Sequence, residues 1–191
     1  MNPIRHIDPI GTLLFPALMI FGPIMGLGIG GFLVGWAKPT PVITRNFKHI
    51  RRDDNLTTLA GPVSNLVLLL AFYLVLIVLM IAVPGGKDAV GGAMAFDLTS
   101  GTASTPQAIA LFAYLAVNVN LALMFFNLLP IPPLDGSHVL RNLLPYNALN
   151  TYDRIAGFGF FFILIIGRPI IGFFMRPSMH LINSGLLHFL Q

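Results

Sequence analysis

The 191-residue chain is 55% hydrophobic and 9% charged, with a mean hydropathy of +0.82 and a formal net charge of +4. That balance excludes a water-soluble globular domain, and it excludes a nucleic-acid surface because no soluble basic face exists to carry the charge. Disulfides and thiolate metal sites are excluded by the absence of cysteine, and a chain without glutamate leaves all carboxylate chemistry to aspartate.

The first apolar run, residues 10–36, contains Pro16, Pro23 and seven glycines. So many breakers predict a helix followed by a re-entrant or broken segment covered by protein, not one straight span. Asp8 and Pro9 precede the run and no small-x-small site closes it, which sets aside a cleavable signal peptide. Residues 37–55 hold Lys38, Arg45, Lys48, Arg51 and Arg52, five of the eleven basic residues, so this loop is expected on the cytoplasmic side. Its opening, Lys38-Pro-Thr-Pro-Val-Ile-Thr, suits an extended stretch at the interface, either a simple tether or an edge for a substrate strand.

A second span is expected over residues 56–83, opened by Ala60-Gly61-Pro62-Val63-Ser64-Asn65, with Pro62 near the helix start. Residues 84–106, with paired glycines, Lys87, Asp88 and Asp97, have the composition of a water-exposed loop. A third span over 107–129 runs into a proline-rich turn, a fourth covers 155–174, and 176–191 is expected to lie at the interface. The 37–55 and 130–154 loops together carry seven of the eleven basic residues, which places both in the cytoplasm. The expected fold is therefore an all-α polytopic membrane bundle of about four transmembrane helices, plus the broken Gly/Pro-rich segment and an interfacial C-terminal helix. One membrane domain over residues 1–191 accounts for the length, and the lipid bilayer is its first partner.

This orientation brings Gly61–Asn65 and Asn127–Asp135 to one depth. An aspartate at the mouth of a membrane helix is costly unless it binds a cation, a proton or a partner, and Asp135 offers zinc a hard oxygen ligand where water can enter. A plain Asp-Gly turn is the competing explanation. Asn127 and Asn65 are placed to donate hydrogen bonds to a peptide carbonyl or a developing oxyanion, or only to bond between helices. Of the five histidines, His138 alone has a local case for metal binding, three residues past Asp135. One carboxylate and one imidazole fall short of the three protein ligands of catalytic zinc, so His138 reads better as a neighbour of the ligand or a surface residue. His6 and His49 belong to solvated or headgroup-facing stretches, and His180 and His188 to the tail.

Asn127-x-x-Pro130-x-Pro132-Pro133-Leu134-Asp135-Gly136 resembles the second signature of the site-2 protease family of intramembrane zinc metalloproteases, in its short prokaryotic form. Ala60-Gly61-Pro62-x-x-Asn65 resembles that family's Gly-rich segment, Gly35-Trp36-Ala37-Lys38-Pro39 its hairpin region, and Asn2-Pro3 through Thr12 the stretch just past its first motif. The resemblance covers essentially the whole chain. It implies zinc-dependent peptide-bond hydrolysis within a prokaryotic cell membrane, with Asp135 completing the zinc site and a substrate's transmembrane helix as partner.

Complete relatives carry HExxH on an earlier helix, supplying two histidine ligands and a glutamate base. Here no two histidines stand four apart and no glutamate exists. The expectation is a chain truncated at its N-terminus relative to the family, binding no zinc tightly on its own and inactive as it stands. A groove left open by the missing helix is expected to meet lipid or a second copy. The alternatives are a non-catalytic protein that binds transmembrane helices and, with less support, a proton or solute path along Asn118, Asn120, Asn127 and Asp135. That path lacks a second ionisable residue within the spans and an inverted repeat.

Overall fold

Helix α1 (Ile50–Ala82) runs unbroken for 33 residues, or about 50 Å. It belongs to a computed structural model that describes residues 49–96 and 104–190, all within the compact unit Lys48–Gln191. The predicted broken segment over 10–36 and most of the 37–55 loop lie outside the described residues. The helix starts earlier than the sequence suggested because Asp53 sits in its first turn, where a carboxylate meets the positive end of the helix dipole. Its Oδ2 accepts the His49 backbone N–H at 3.1 Å. Pro62 accordingly lies inside the helix rather than near its start. Lacking an N–H, it leaves the Thr58 carbonyl without its usual helical partner.

The stretch read as a water-exposed loop is instead partly a helix, α2 (Gly86–Ala95), with Ala89, Val90 and Ala93 buried. Lys87 and Asp88 had suggested a loop, yet both are exposed while the small residues three and four apart face inward. The chain enters α2 through Gly85 at φ +75°, and Gly86 abuts the Leu79 carbonyl so closely that a Cβ there has no room. Helix α3 (Thr105–Leu128) is opened by a capping box in which the Ser104 N–H donates to Gln107 Oε1 at 2.9 Å.

Helices α1 and α3 pack along one another through Leu69, Leu76, Tyr114, Val117 and Leu121. Both are long and apolar enough to cross a membrane. Their outer faces leave Val67, Leu74, Val78, Phe112 and Val119 exposed, the surface that a bilayer covers at no cost. Among the described residues these two helices alone meet that test.

Beyond the proline-rich turn come α4 (Asp135–Leu143), α5 (Tyr146–Ala156) and α6 (Gly159–Phe162), then a π-helical turn (Ile163–Gly167) and α7 (Arg168–Leu190). The fourth span expected over 155–174 is thus divided among several elements, and the expected boundary near Arg176 falls inside α7. The tail docks into the bundle. Met175, Met179, Ile182, Leu186 and Leu190 recur at helical spacing and pack against the core, with Leu186 fully buried. Asn183 Oδ1 accepts the Tyr114 hydroxyl at 3.1 Å, and Lys87 Nζ donates to the Leu190 carbonyl at 3.3 Å.

Candidate functional site

The site is built on the turn between α3 and α4. The Leu129 N–H closes α3 on the Phe126 carbonyl at 3.1 Å, and the Leu134 N–H reaches the Ile131 carbonyl at 3.0 Å. Pro130, Pro132 and Pro133 have fixed φ and no donor to satisfy, so the turn can stay tight without a ladder. Ser137 then ties the start of α4 to the turn, its N–H and its Oγ both donating to the Leu134 carbonyl, at 3.0 and 2.6 Å. Two glycines pin the turn from outside. Gly136 lies against the Leu128 and Leu129 carbonyls and Gly159 against the Pro132 carbonyl, each with no space for a Cβ.

Asp135 is the first residue of α4, so its carboxylate also sits at the positive end of a helix dipole. It turns toward α1. A Cβ placed on Gly61 would stand 3.0 Å from Asp135 Oδ2. The two motifs singled out in the sequence therefore meet, and Gly61 is the residue that leaves room for the carboxylate. Burial pushes the Asp135 carboxyl above the usual carboxylate range, and the neighbouring His138 pulls it back in part. A carboxylate partly stripped of water gains from a cation.

Asn65 lies one turn beyond Gly61 on the same face of α1, half-buried. Asn127 occupies the last turn of α3, one residue before Leu128, whose carbonyl touches Gly136. Neither amide makes a hydrogen bond among the described residues. Asn118 and Asn120 differ: they donate to the Tyr114 and Ala116 carbonyls of their own helix, both at 2.8 Å.

The donor set is small. His138 is exposed, and so are His180 and His188 on α7. No group of three or more His, Cys, Asp or Glu able to hold a metal occurs among the described residues. Asp135 fits one corner of a tetrahedral zinc site and supplies no more than that. Beside the turn an apolar cavity of about 320 Å³ is lined by Phe125, Leu128, Leu129, Pro130, Ile170 and Phe174.

Sequence reasoning missed the supports of the turn. The Tyr152 hydroxyl on α5 donates to the Ser137 carbonyl at 3.0 Å, and Arg141 pairs with Asp153 through two 2.9 Å bonds. The amphipathic spacing of 146–156 was the available signal for α5. Tyr152→Phe is expected to lower unfolding stability by about 1 kcal/mol, the worth of one partly buried hydrogen bond, as read from a denaturant titration of the detergent-solubilised protein.

A model of peptidase family M50 matches residues 17–166. A Bacillus subtilis (strain 168) protein named "Putative zinc metalloprotease YwhC" is 31% identical over 188 residues, covering 98% of this chain and 73% of that relative. No solved structure matches the chain.

Proposed function

The chain belongs to peptidase family M50, the site-2 protease family, and on that premise we propose that it carries the aspartate corner of a zinc site that hydrolyses peptide bonds within the membrane. The observation that carries this reading is the Asp135 carboxylate resting against Gly61, where the α1 motif meets the α3–α4 turn. Zinc, when bound, polarises the scissile carbonyl and supplies an activated water. The chain's own residues do the rest. Asp135 ligates the metal, Asn65 and Asn127 hold the substrate carbonyl and the oxyanion that develops on it, and the apolar walls beside the turn exclude bulk water.

The substrate in this reading is a transmembrane helix that unwinds at the site, and the protein is multi-pass with the 130–154 segment facing the cytoplasm. The exposed outer faces of α1 and α3 meet lipid or a second copy. The HExxH ligands and base occur nowhere in these 191 residues. The 191-residue protein by itself is therefore expected to hold no tight zinc and to cut no peptide. Stoichiometric metal in that purified protein, lost on Asp135→Ala, overturns this expectation. The intact mass of the endogenous protein, set against 20.8 kDa, separates the readings. A mass greater by one helix with its flanks supports the protease, and an equal mass supports a helix-binding protein without activity.

The asparagines have a test of their own in the full gene product. Asn127→Ala and Asn65→Ala are each expected to lower kcat roughly 100- to 1,000-fold with little change in KM, the signature of a lost oxyanion donor. A loss of thermal midpoint with kcat intact marks a packing role instead.

A further inference from the structure

Helix α4 is held to α1 at two points that share one register. At its first residue, Asp135 lies against Gly61. Seven residues later the Asn142 amide donates from Nδ2 to both Asp54 Oδ2 and Asn55 Oδ1, each at 2.7 Å. Gly61 is likewise seven residues past Asp54. Two helices that touch at matching seven-residue steps in opposite senses lie antiparallel, and residues i and i+7 share a face. Both contacts therefore stand on one seam, about 10 Å apart along the axis.

We infer that Asn142 is a positioning residue for Asp135: it fixes the register of α4 on α1 and so the place of the carboxylate beside Gly61. This rests on the reading of Asp135 as a zinc ligand. The chemistry of the contact suits the role. Asn142 uses both amide hydrogens on two acceptors of α1, and one acceptor is a carboxylate, so the bond is among the stronger neutral-to-charged kind. A slip of α4 by one residue along α1 moves Asp135 by about 1.5 Å and turns it by about 100°, enough to take it off the seam. The Arg141–Asp153 pair is exposed and joins α4 to α5, so it does not fix the register on α1. The hydrogen-bond pattern also has a reciprocal form. Asn142→Asp sets a carboxylate against Asp54, and adding Asp54→Asn restores a carboxylate–amide pair with donor and acceptor exchanged.

The test exploits the absence of native cysteine. Thr57→Cys and His138→Cys, both exposed positions, carry nitroxide labels in the 191-residue protein, and the distance between them is read by pulsed electron paramagnetic resonance. These labels sit between the two contacts, three to four residues from each on both helices, and so report the register of α4 on α1. The parent is expected to give one narrow distance, Asn142→Asp a broad or displaced one, and the double Asn142→Asp/Asp54→Asn variant a narrow one again. In the full gene product, Asn142→Asp is expected to lower zinc retention against a chelator at least tenfold, with recovery in the double variant. An unchanged distance in Asn142→Asp, or a broadened one without loss of zinc, overturns the proposal. An Asp135→Ala control that keeps its zinc instead overturns the zinc reading. The two failures are thereby told apart.

Discussion

Asp135→Asn is expected to abolish zinc retention and peptide-bond hydrolysis in the full gene product while leaving the helix bundle as stable as before, or more so. Changes to groups that merely orient a ligand cost about 10- to 100-fold, and loss of the ligand itself is expected to exceed 100-fold. The effect on stability has the opposite sign. Burial raises the Asp135 carboxyl above its unfolded value, so between the unfolded and folded pKa values the folded state binds the extra proton and stability falls as pH rises. Above the folded pKa the ionised carboxylate is a net cost to the metal-free fold, and below the unfolded value of roughly 3.9 that cost is gone. In the metal-free 191-residue protein, Asp135→Asn is thus expected to raise the unfolding midpoint at pH 7 and to lose that advantage in acid. A residue kept for packing behaves the other way, and a lower midpoint at pH 7 would sink the assignment.

What the sequence made legible follows the strength of each physical signal. Asp135 stood out because an acid after a long apolar helix is expensive, and Gly61 and Asn65 stood out as polar or small positions opening another. The structure brings the first two together. The apolar helices α1 and α3 were legible because composition alone identifies them. Helix α2 was not, since paired glycines and two charges outweigh three small apolar residues in any local count, and only packing against the core shows which side matters. Helix α7 was legible in part, as a C-terminal helix expected over 176–191; its start at Arg168 and its docking into the core were not. Its core-facing residues recur at helical spacing through Pro177, which lies inside the helix, and only packing shows that this face meets the bundle instead of the interface. Asn142 carried no signal at all. Its meaning lies in two acceptors almost ninety positions away, and nothing local points to so distant a partner.

The second large effect is expected at the glycines that frame Asp135, and comparing them separates architecture from chemistry. At Gly136 an added Cβ runs into the Leu128 and Leu129 carbonyls. Those atoms are backbone at the end of α3, so relief requires α4 to move bodily. Gly136→Ala is expected to destabilise the protein by about 1–3 kcal/mol, the usual range for overpacking, and to cost zinc retention as well, because Asp135 moves with α4. At Gly61 the added Cβ meets, among the described residues, only Asp135 Oδ2, at 3.0 Å. That oxygen ends a side chain that can rotate away, so Gly61→Ala is expected to spare the unfolding midpoint while lowering activity of the full gene product roughly 10- to 100-fold, as misplacing a ligand does. The measurement is a pair of denaturant titrations beside a pair of zinc-retention assays. Equal losses of stability at both glycines would mean that Gly61 serves helix packing and that the space beside Asp135 is incidental. A loss of stability confined to Gly136, with zinc loss at both, ties the missing side chain at Gly61 to the carboxylate it faces.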